Sequence, residues 1–240
     1  MKISVAQVRL CKGDITANIE IHKRLIKTAI LHNADAVFFP ELSITGYEPT
    51  LARDLATSPD DSRLESFQHM SDANNIMIGI GVPTKAENGT LISMLIFQPG
   101  RAKQVYSKQQ LHADELPWFV QGNKQVVLTI GNKKIAPAIC YESLQEDHAN
   151  IASLIGADIY IASVAKSQKG IDKALLHYPS IAKKFSMPVL MANCIGYCDN
   201  FESVGKSSVW TSQGNMVGQL DDEEGLLIFD TETAEVMITR

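Results

Sequence analysis

The stretch Ala136-Pro137-Ala138-Ile139-Cys140-Tyr141-Glu142-Ser143 decides how this chain is read. An apolar run from Lys134 to Ile139 reads as a strand that delivers Cys140 at its end, where polar residues and a helix take over. Open α/β sheets bind ligands at the carboxyl ends of their strands, so a thiol left there faces a cleft and is placed to act as a nucleophile. A free cysteine also packs well as a small apolar side chain. Base and oxyanion partners elsewhere in the chain decide between these two readings.

Working outward, the same placement recurs. Asp35 to Phe39 is a short apolar strand ended by Pro40, and the next residue is Glu41. Arg101 to Tyr106 reads as the return strand of a hairpin across Pro99-Gly100, with Lys108 two residues beyond it. Three strand ends thus present a carboxylate, an ammonium and a thiol. Between Gln109 and Gly122 neither a helical nor a strand period exists, and Glu115, Trp118 and Phe119 fall in what reads as a functional loop.

The remaining periodicity is that of alternating strands and helices. Lys2 to Leu10 carries Ile3, Val5, Gln7 and Arg9 on one parity, and Asn18 to His32 sets Ile21, Leu25, Ile26, Ala29 and Ile30 at helical spacing. Helices are expected over 61–73, 144–155 (closed by Gly156) and 171–185, where Pro179 kinks or divides the last. Strands are expected over 76–82, 91–98, 126–130, 158–163, 188–193, 207–211, 216–220 and 226–230. No repeat, low-complexity tract or linker interrupts the pattern, so 1–240 is expected to form one α/β domain.

Composition narrows the partners. A 45% hydrophobic content supports a sizeable core, and a net charge of -5 without a basic block leaves no electrostatic footprint for nucleic acid. There is no signal-peptide core and no apolar run of membrane-spanning length, so a cytoplasmic protein with no membrane contact is expected. Cysteines stand at 11, 140, 194 and 198, too scattered for a disulfide framework. Cys194 and Cys198 are not spaced as Cys-x-x-Cys and no second pair exists, which leaves a weak case for zinc.

Cleaving an amide with a thiol requires a base for the thiol proton, the nucleophile itself, and donors where the carbonyl oxygen becomes an anion. Glu41, Cys140 and Lys108 supply these three functions. At these residues the sequence resembles the nitrilase superfamily of carbon-nitrogen hydrolases, with a Glu-Lys-Cys triad. Phe38 to Tyr47 is similar to the family's Glu motif, Tyr106 to Leu111 to its Lys motif, and Ile139 to Glu142 to its nucleophile motif. Glu115, Phe119 and Gly122 match a Glu-x-x-x-Phe-x-x-Gly segment. Met191 to Gly196 and Gly205 to Ser208 resemble later Asn-x-x-Gly and Gly-x-Ser segments.

The resemblance implies a four-layer α-β-β-α sandwich, which periodicity alone leaves open against a doubly wound single sheet. It also implies association through outer helices as a homodimer or larger assembly, with no cofactor and no metal. Carried over by residue, Glu41 is the general base, Lys108 the oxyanion stabiliser, Cys140 the nucleophile and Glu115 a second catalytic carboxylate. Tyr141 supplies a backbone N–H to the oxyanion, and Phe119 is grouped with Tyr141 as a substrate contact. The segment after Tyr141 departs from the pattern of many amidase branches, so the dicarboxylate specificity of the ω-amidase branch is not carried over. Tyr141 stands where true nitrilases commonly have Trp, which favours a small linear amide or N-carbamoyl substrate over a nitrile. A nitrilase and a non-catalytic protein retaining the fold remain as alternatives. The loop with Ala165 and Lys166 lacks the tryptophan frequent there in the family, which opens or recharges the pocket. His148, His177 and Tyr178 are expected to pack within or upon helices, and Trp118 to wall an apolar pocket or join a satellite core.

Overall fold

In the computed structural model, which describes residues Met1–Arg240, the chain begins with β1 (Lys2–Arg9), α1 (Ile15–Leu31) and β2 (Ala36–Phe38). A short α2 (Ala52–Leu55) and α3 (Glu65–Asn74) lead into the hairpin of β3 (Met77–Ala86) and β4 (Gly89–Phe97), then β5 (Gln104–Ser107). After a long loop come β6 (Leu128–Ile130), β7 (Lys133–Ile139), α4 (Glu146–Leu154), β8 (Ile159–Val164), α5 (Gln168–Phe185) and β9 (Val189–Cys198). The chain closes with β10 (Phe201–Val204), β11 (Ser208–Trp210), β12 (Met216–Gln219), β13 (Gly225–Asp230) and β14 (Val236–Thr239).

The strand path runs β5-β4-β3-β2-β1-β9-β8-β7-β6. Its midpoint is narrow: β1 meets β9 in parallel only at Val8↔Cys194 and Arg9↔Ile195, whereas residues Lys2–Gln7 of β1 pair antiparallel with β13. Side chains alternate between faces along a strand, and this alternation builds the layers. Ile135 and Ile139 of β7 join Ile3, Phe38 and Met94 from the other half in one core between the sheets. On the outside of one half, Val37 and Ile78 pack against Leu25 and Ile26 of α1 and Phe67 of α3. On the outside of the other, Ala136 and Ala138 meet Ala149 and Ala152 of α4 and Ala174 of α5. Small side chains on both surfaces there let helix and sheet approach closely. The result is helices, sheet, sheet, helices: the α-β-β-α order, and not the single doubly wound sheet that periodicity left open.

Several boundaries differ from expectation. The helix expected over 144–155 divides into a 3-10 turn, Glu142–Leu144, and α4, because Gln145 is extended between them. Pro179 does not divide α5, which runs from Gln168 to Phe185 on a buried face of Ile171, Ala174, Tyr178, Ile181 and Ala182. Tertiary burial of that stripe outweighs the hydrogen bond that proline removes. The strand expected over 188–193 continues to Cys198, and β10, which pairs with it, and β14 were not expected.

Candidate active site

Two backbone elbows aim the site. β7 ends at Ile139, and Cys140 takes φ +47°, left-handed backbone that L side chains seldom adopt. It is held there by its own N–H donating to Ser163 O (3.0 Å) and by Ser143, whose N–H and hydroxyl both donate to Cys140 O (3.2 and 2.5 Å). After β2, Glu41 precedes Leu42, also left-handed at φ +49°. Gly81 lies against this second elbow, where a Cβ would stand 2.4 Å from both Leu42 N and Pro40 O, so only glycine fits. Such strain persists where the surroundings over-determine it, and it concentrates at functional sites.

Lys108 leaves the end of β5 and is fully buried. Its Nζ donates to Glu41 Oε1 (2.8 Å) and to Glu115 Oε1 (2.6 Å). Tyr47 OH also donates to Glu115 Oε1 (3.0 Å), and His112 N–H to Oε2 (2.8 Å). Gly122 fixes the lysine from behind: its N–H donates to Lys108 O (2.7 Å), and a Cβ there would stand 2.3 Å from Ser107 O. Glu41 Oε2 is buried with no hydrogen-bond partner.

The electrostatics follow from this crowding. Burial pushes the Glu41 carboxyl up to about 7, with Glu115 adding to the rise and Lys108 opposing it. Two carboxylates sharing one ammonium cannot both be fully compensated. Burial alone lowers Lys108, but the charges of Glu41 and Glu115 and the hydrogen bond to Glu115 oppose it and hold the lysine protonated. Burial and the Glu41 charge push the Cys140 thiol up to about 12, against the pull of Lys166 and Lys108. The resting sulfur therefore carries its proton, and a nearby base has to take it.

A cavity of about 620 Å³ opens onto Cys140, lined also by Tyr47, Glu115, Tyr141, Lys166 and His177. The structure brings Glu41, Lys108, Glu115, Cys140 and Tyr141 together, and leaves Phe119 out. Phe119 was expected at the substrate but is buried in the core between the sheets, because its N–H follows the Glu115 turn inward (3.0 Å to Glu115 O). Trp118 lines a different groove beside Pro117 and Arg53. His148 is core, bonded through Nδ1 to Tyr160 OH (2.7 Å) and through Nε2 to Tyr106 OH (2.9 Å). His177, expected to pack, instead borders the cavity, while its neighbour Tyr178 is buried against Ser143 (2.6 Å).

Glu142, which the sequence motif presents only as the residue after Tyr141, also serves the site. It is fully buried; Oε1 accepts from Tyr106 OH (2.5 Å) and Ile139 N–H (2.8 Å), and Oε2 from Gln109 N–H (2.7 Å) and Gln110 N–H (3.2 Å). One carboxylate thus ties the loop after Lys108 to the strand before Cys140. Its signal in the sequence was an acid two residues after the thiol, in a segment otherwise apolar on its strand side. Tyr47 was visible only as the last letter of the Glu41 motif. Cys194 and Cys198 bring their sulfurs to 3.5 Å within the core, and no group of three or more His, Cys, Asp or Glu gathers to hold a metal ion.

A thiol at a strained elbow beside an acid, an ammonium and a second acid is a constellation for attacking carbon bonded to nitrogen. The carbon-nitrogen hydrolase family model matches residues 2–239, and the chain belongs to that family. An amidase from Nesterenkonia sp. AN1 has the same fold, with a TM-score of 0.86 at 22% identity over 96% of this chain and 92% of that one. A structure of a glutamate-to-glutamine mutant of that amidase shows Michael addition of acrylamide at the active-site cysteine. Among curated relatives, the glutamine-dependent NAD(+) synthetase of Thermotoga maritima is 24% identical over 93% of this chain and 41% of its own length. The omega-amidase YafV of Escherichia coli is 24% identical over 59% of this chain and 55% of its own. The chain therefore spans about half the length, or less, of these two relatives.

Proposed function

We propose that the chain hydrolyses the C–N bond of a small linear amide or N-carbamoyl compound through a thioester on Cys140. The observation that carries this reading is the buried Glu41–Lys108–Glu115 cluster, with contacts of 2.8 and 2.6 Å, beside a thiol held at a left-handed elbow. As Sγ attacks the carbonyl carbon, Glu41 takes the thiol proton. The carbonyl oxygen becomes an anion that the Lys108 ammonium and the Tyr141 N–H receive. Glu41 then returns the proton to the leaving nitrogen, and ammonia or an amine departs. Water attacks the thioester while Glu41 accepts its proton, and the acid leaves as that proton goes back to sulfur. Glu115, anchored by Tyr47 and His112, holds Lys108 in place and borders the cavity where the substrate enters.

Mass spectrometry of the intact protein after exposure to a library of amides tests this. Glutamine belongs in the library because of the glutamine-dependent relatives, and Glu115→Gln slows turnover so that the adduct accumulates. An acyl mass on Cys140 is the expected result. Nitriles assayed in parallel address the nitrilase alternative, which predicts that they are turned over faster than the corresponding amides.

A further inference from the structure

Lys166 lies just after β8, and it is 95% buried because its relative exposure is 5%. Its Nζ stands 3.8 Å from Cys140 Sγ and has no other hydrogen-bond partner. It forms no salt bridge: Lys108 takes the Oε1 atoms of Glu41 and Glu115, His112 N–H takes Glu115 Oε2, and Glu41 Oε2 stays without a partner. The side chain lines the cavity that opens onto Cys140, so an ammonium with no counter-charge of its own is free to pair with an anion that enters there.

The surroundings hold it in place. Lys166 N–H donates to Asn193 Oδ1 (2.9 Å), and its carbonyl accepts from Asn193 Nδ2 (3.2 Å) and Ser203 Oγ (3.1 Å). The aliphatic stem lies over Gly170 of α5, where a Cβ would stand 3.1 Å from Lys166 Cβ and 3.3 Å from its Cγ. The glycine makes room for the stem, and the Asn193 side chain locks the backbone, so the ammonium is fixed beside the nucleophile. Lys169 and Lys173 continue the positive charge toward the mouth of the same cavity, and His177 Nε2 is a buried nitrogen there with no partner. The carboxylates on that lining are Asp114, paired with His112, and Glu115, paired with Lys108.

We infer that Lys166 is the receptor for an anionic group of the substrate, and that the preferred substrates are short amides or carbamoyl compounds bearing a carboxylate. This rests on the hydrolase reading above. An oxygen bonded to Nζ at about 2.8 Å lies at most about 7 Å from the sulfur, given the 3.8 Å contact. The carboxylate must therefore sit within a few bonds of the carbon under attack. It can belong to the acyl part or to the leaving amine, since both stay close to that carbon until the bond breaks.

Three matched pairs test the inference: succinamate against butyramide and glutaramate against valeramide for an acyl-side charge, and N-carbamoylglycine against ethylurea for a leaving-side charge. Expected is a kcat/KM preference of about 10- to 100-fold for the anionic member of at least one pair, the range of one charge-assisted hydrogen bond. Lys166→Met should collapse that ratio mainly through KM, and Lys166→Arg should restore part of it. The inference is overturned if the neutral member is equal or better in every pair. It is equally overturned if Lys166→Met slows both members alike, since the lysine would then act on the sulfur and not on the substrate. Turnover of neutral amides alone removes the anion site and leaves the hydrolase reading standing. No turnover and no acyl adduct on Cys140 with any of these compounds removes both.

Discussion

The two half-sheets contribute unlike things to one site. The half built on β2 and β5 supplies Glu41 and Lys108, sealed from solvent, with Lys108 already paired to both Glu41 and Glu115. The half built on β7 and β8 supplies Cys140, Tyr141 and Lys166, bordering the open cavity with charges and donors that the protein leaves unmatched. The closed side is organised before any substrate arrives, as electrostatic preorganisation requires. The open side has valences to offer. In the proposed mechanism the first half performs proton and charge chemistry on whatever the second half has captured, so activity and selectivity should respond to different substitutions.

The largest break in that division is Cys140→Ala, which should lower amide turnover on the order of 10^5-fold, the scale seen when a nucleophile is deleted; residual activity within tenfold of wild type would contradict it. Next comes Lys108→Met. It leaves two buried carboxylates facing each other, so a loss of about 3–5 kcal/mol in urea unfolding is expected, together with a fall in kcat of at least about 100-fold from the missing oxyanion donor. Glu142→Gln tests the tie between the halves. Stability should fall by about 1–3 kcal/mol as donors lose a charged acceptor. Because Glu142 acts through Lys108 and Cys140, kcat should drop while KM holds, and alkylation of Cys140 by iodoacetamide should slow in parallel.

A smaller effect concerns pH. Glu41 has its ordinary value near 4.5 in the unfolded chain and a value raised to about 7 in the folded one. Between the two, the folded chain keeps a proton that the unfolded chain has lost, so the contribution is complete below about 4.5 and disappears as pH rises through about 7. Unfolding free energies measured across that window should fall with pH more steeply in wild type than in Glu41→Gln; parallel curves would mean that the carboxyl is not raised. The smallest change is expected at Trp118→Ala, in the groove remote from Cys140, where kcat/KM should move by less than about twofold, as for substitutions away from structural features.

How much of this could be read from the letters depends on distance along the chain. Cys140 and Glu41 were legible because each follows a short apolar run, and Lys108 because it follows the return strand of a hairpin, all local patterns. Glu115 and Tyr141 became assignable only through the family resemblance. Phe119 was misplaced for the same reason: a motif position does not say which side of a turn faces the cavity, and its ring turned into the core. Glu142 escaped because its partners, Tyr106, Gln109 and Gln110, lie more than thirty residues upstream. Lys166 was legible as an unusual charge, while its burial depends on Asn193 and Gly170. The choice between one sheet and two needed the pairing of β1, which no periodicity within β1 contains.

That pairing has a consequence in the way the chain must be assembled. At residue 7 the flank of β1 passes from β13 to β9, and Gln7 bridges the fork: its Nε2 donates to Asp221 O (2.9 Å) and Glu223 O (2.7 Å), and its Oε1 accepts from Ser207 N–H (2.9 Å). Every partner on that flank comes from the last third of the polypeptide. During synthesis on the ribosome, β1 therefore waits with a bare edge until residues 194–230 have emerged. Such long-range closure is slow and leaves that edge open to neighbouring nascent chains, so Gln7→Leu should reveal itself first as lower recovery of refolded protein.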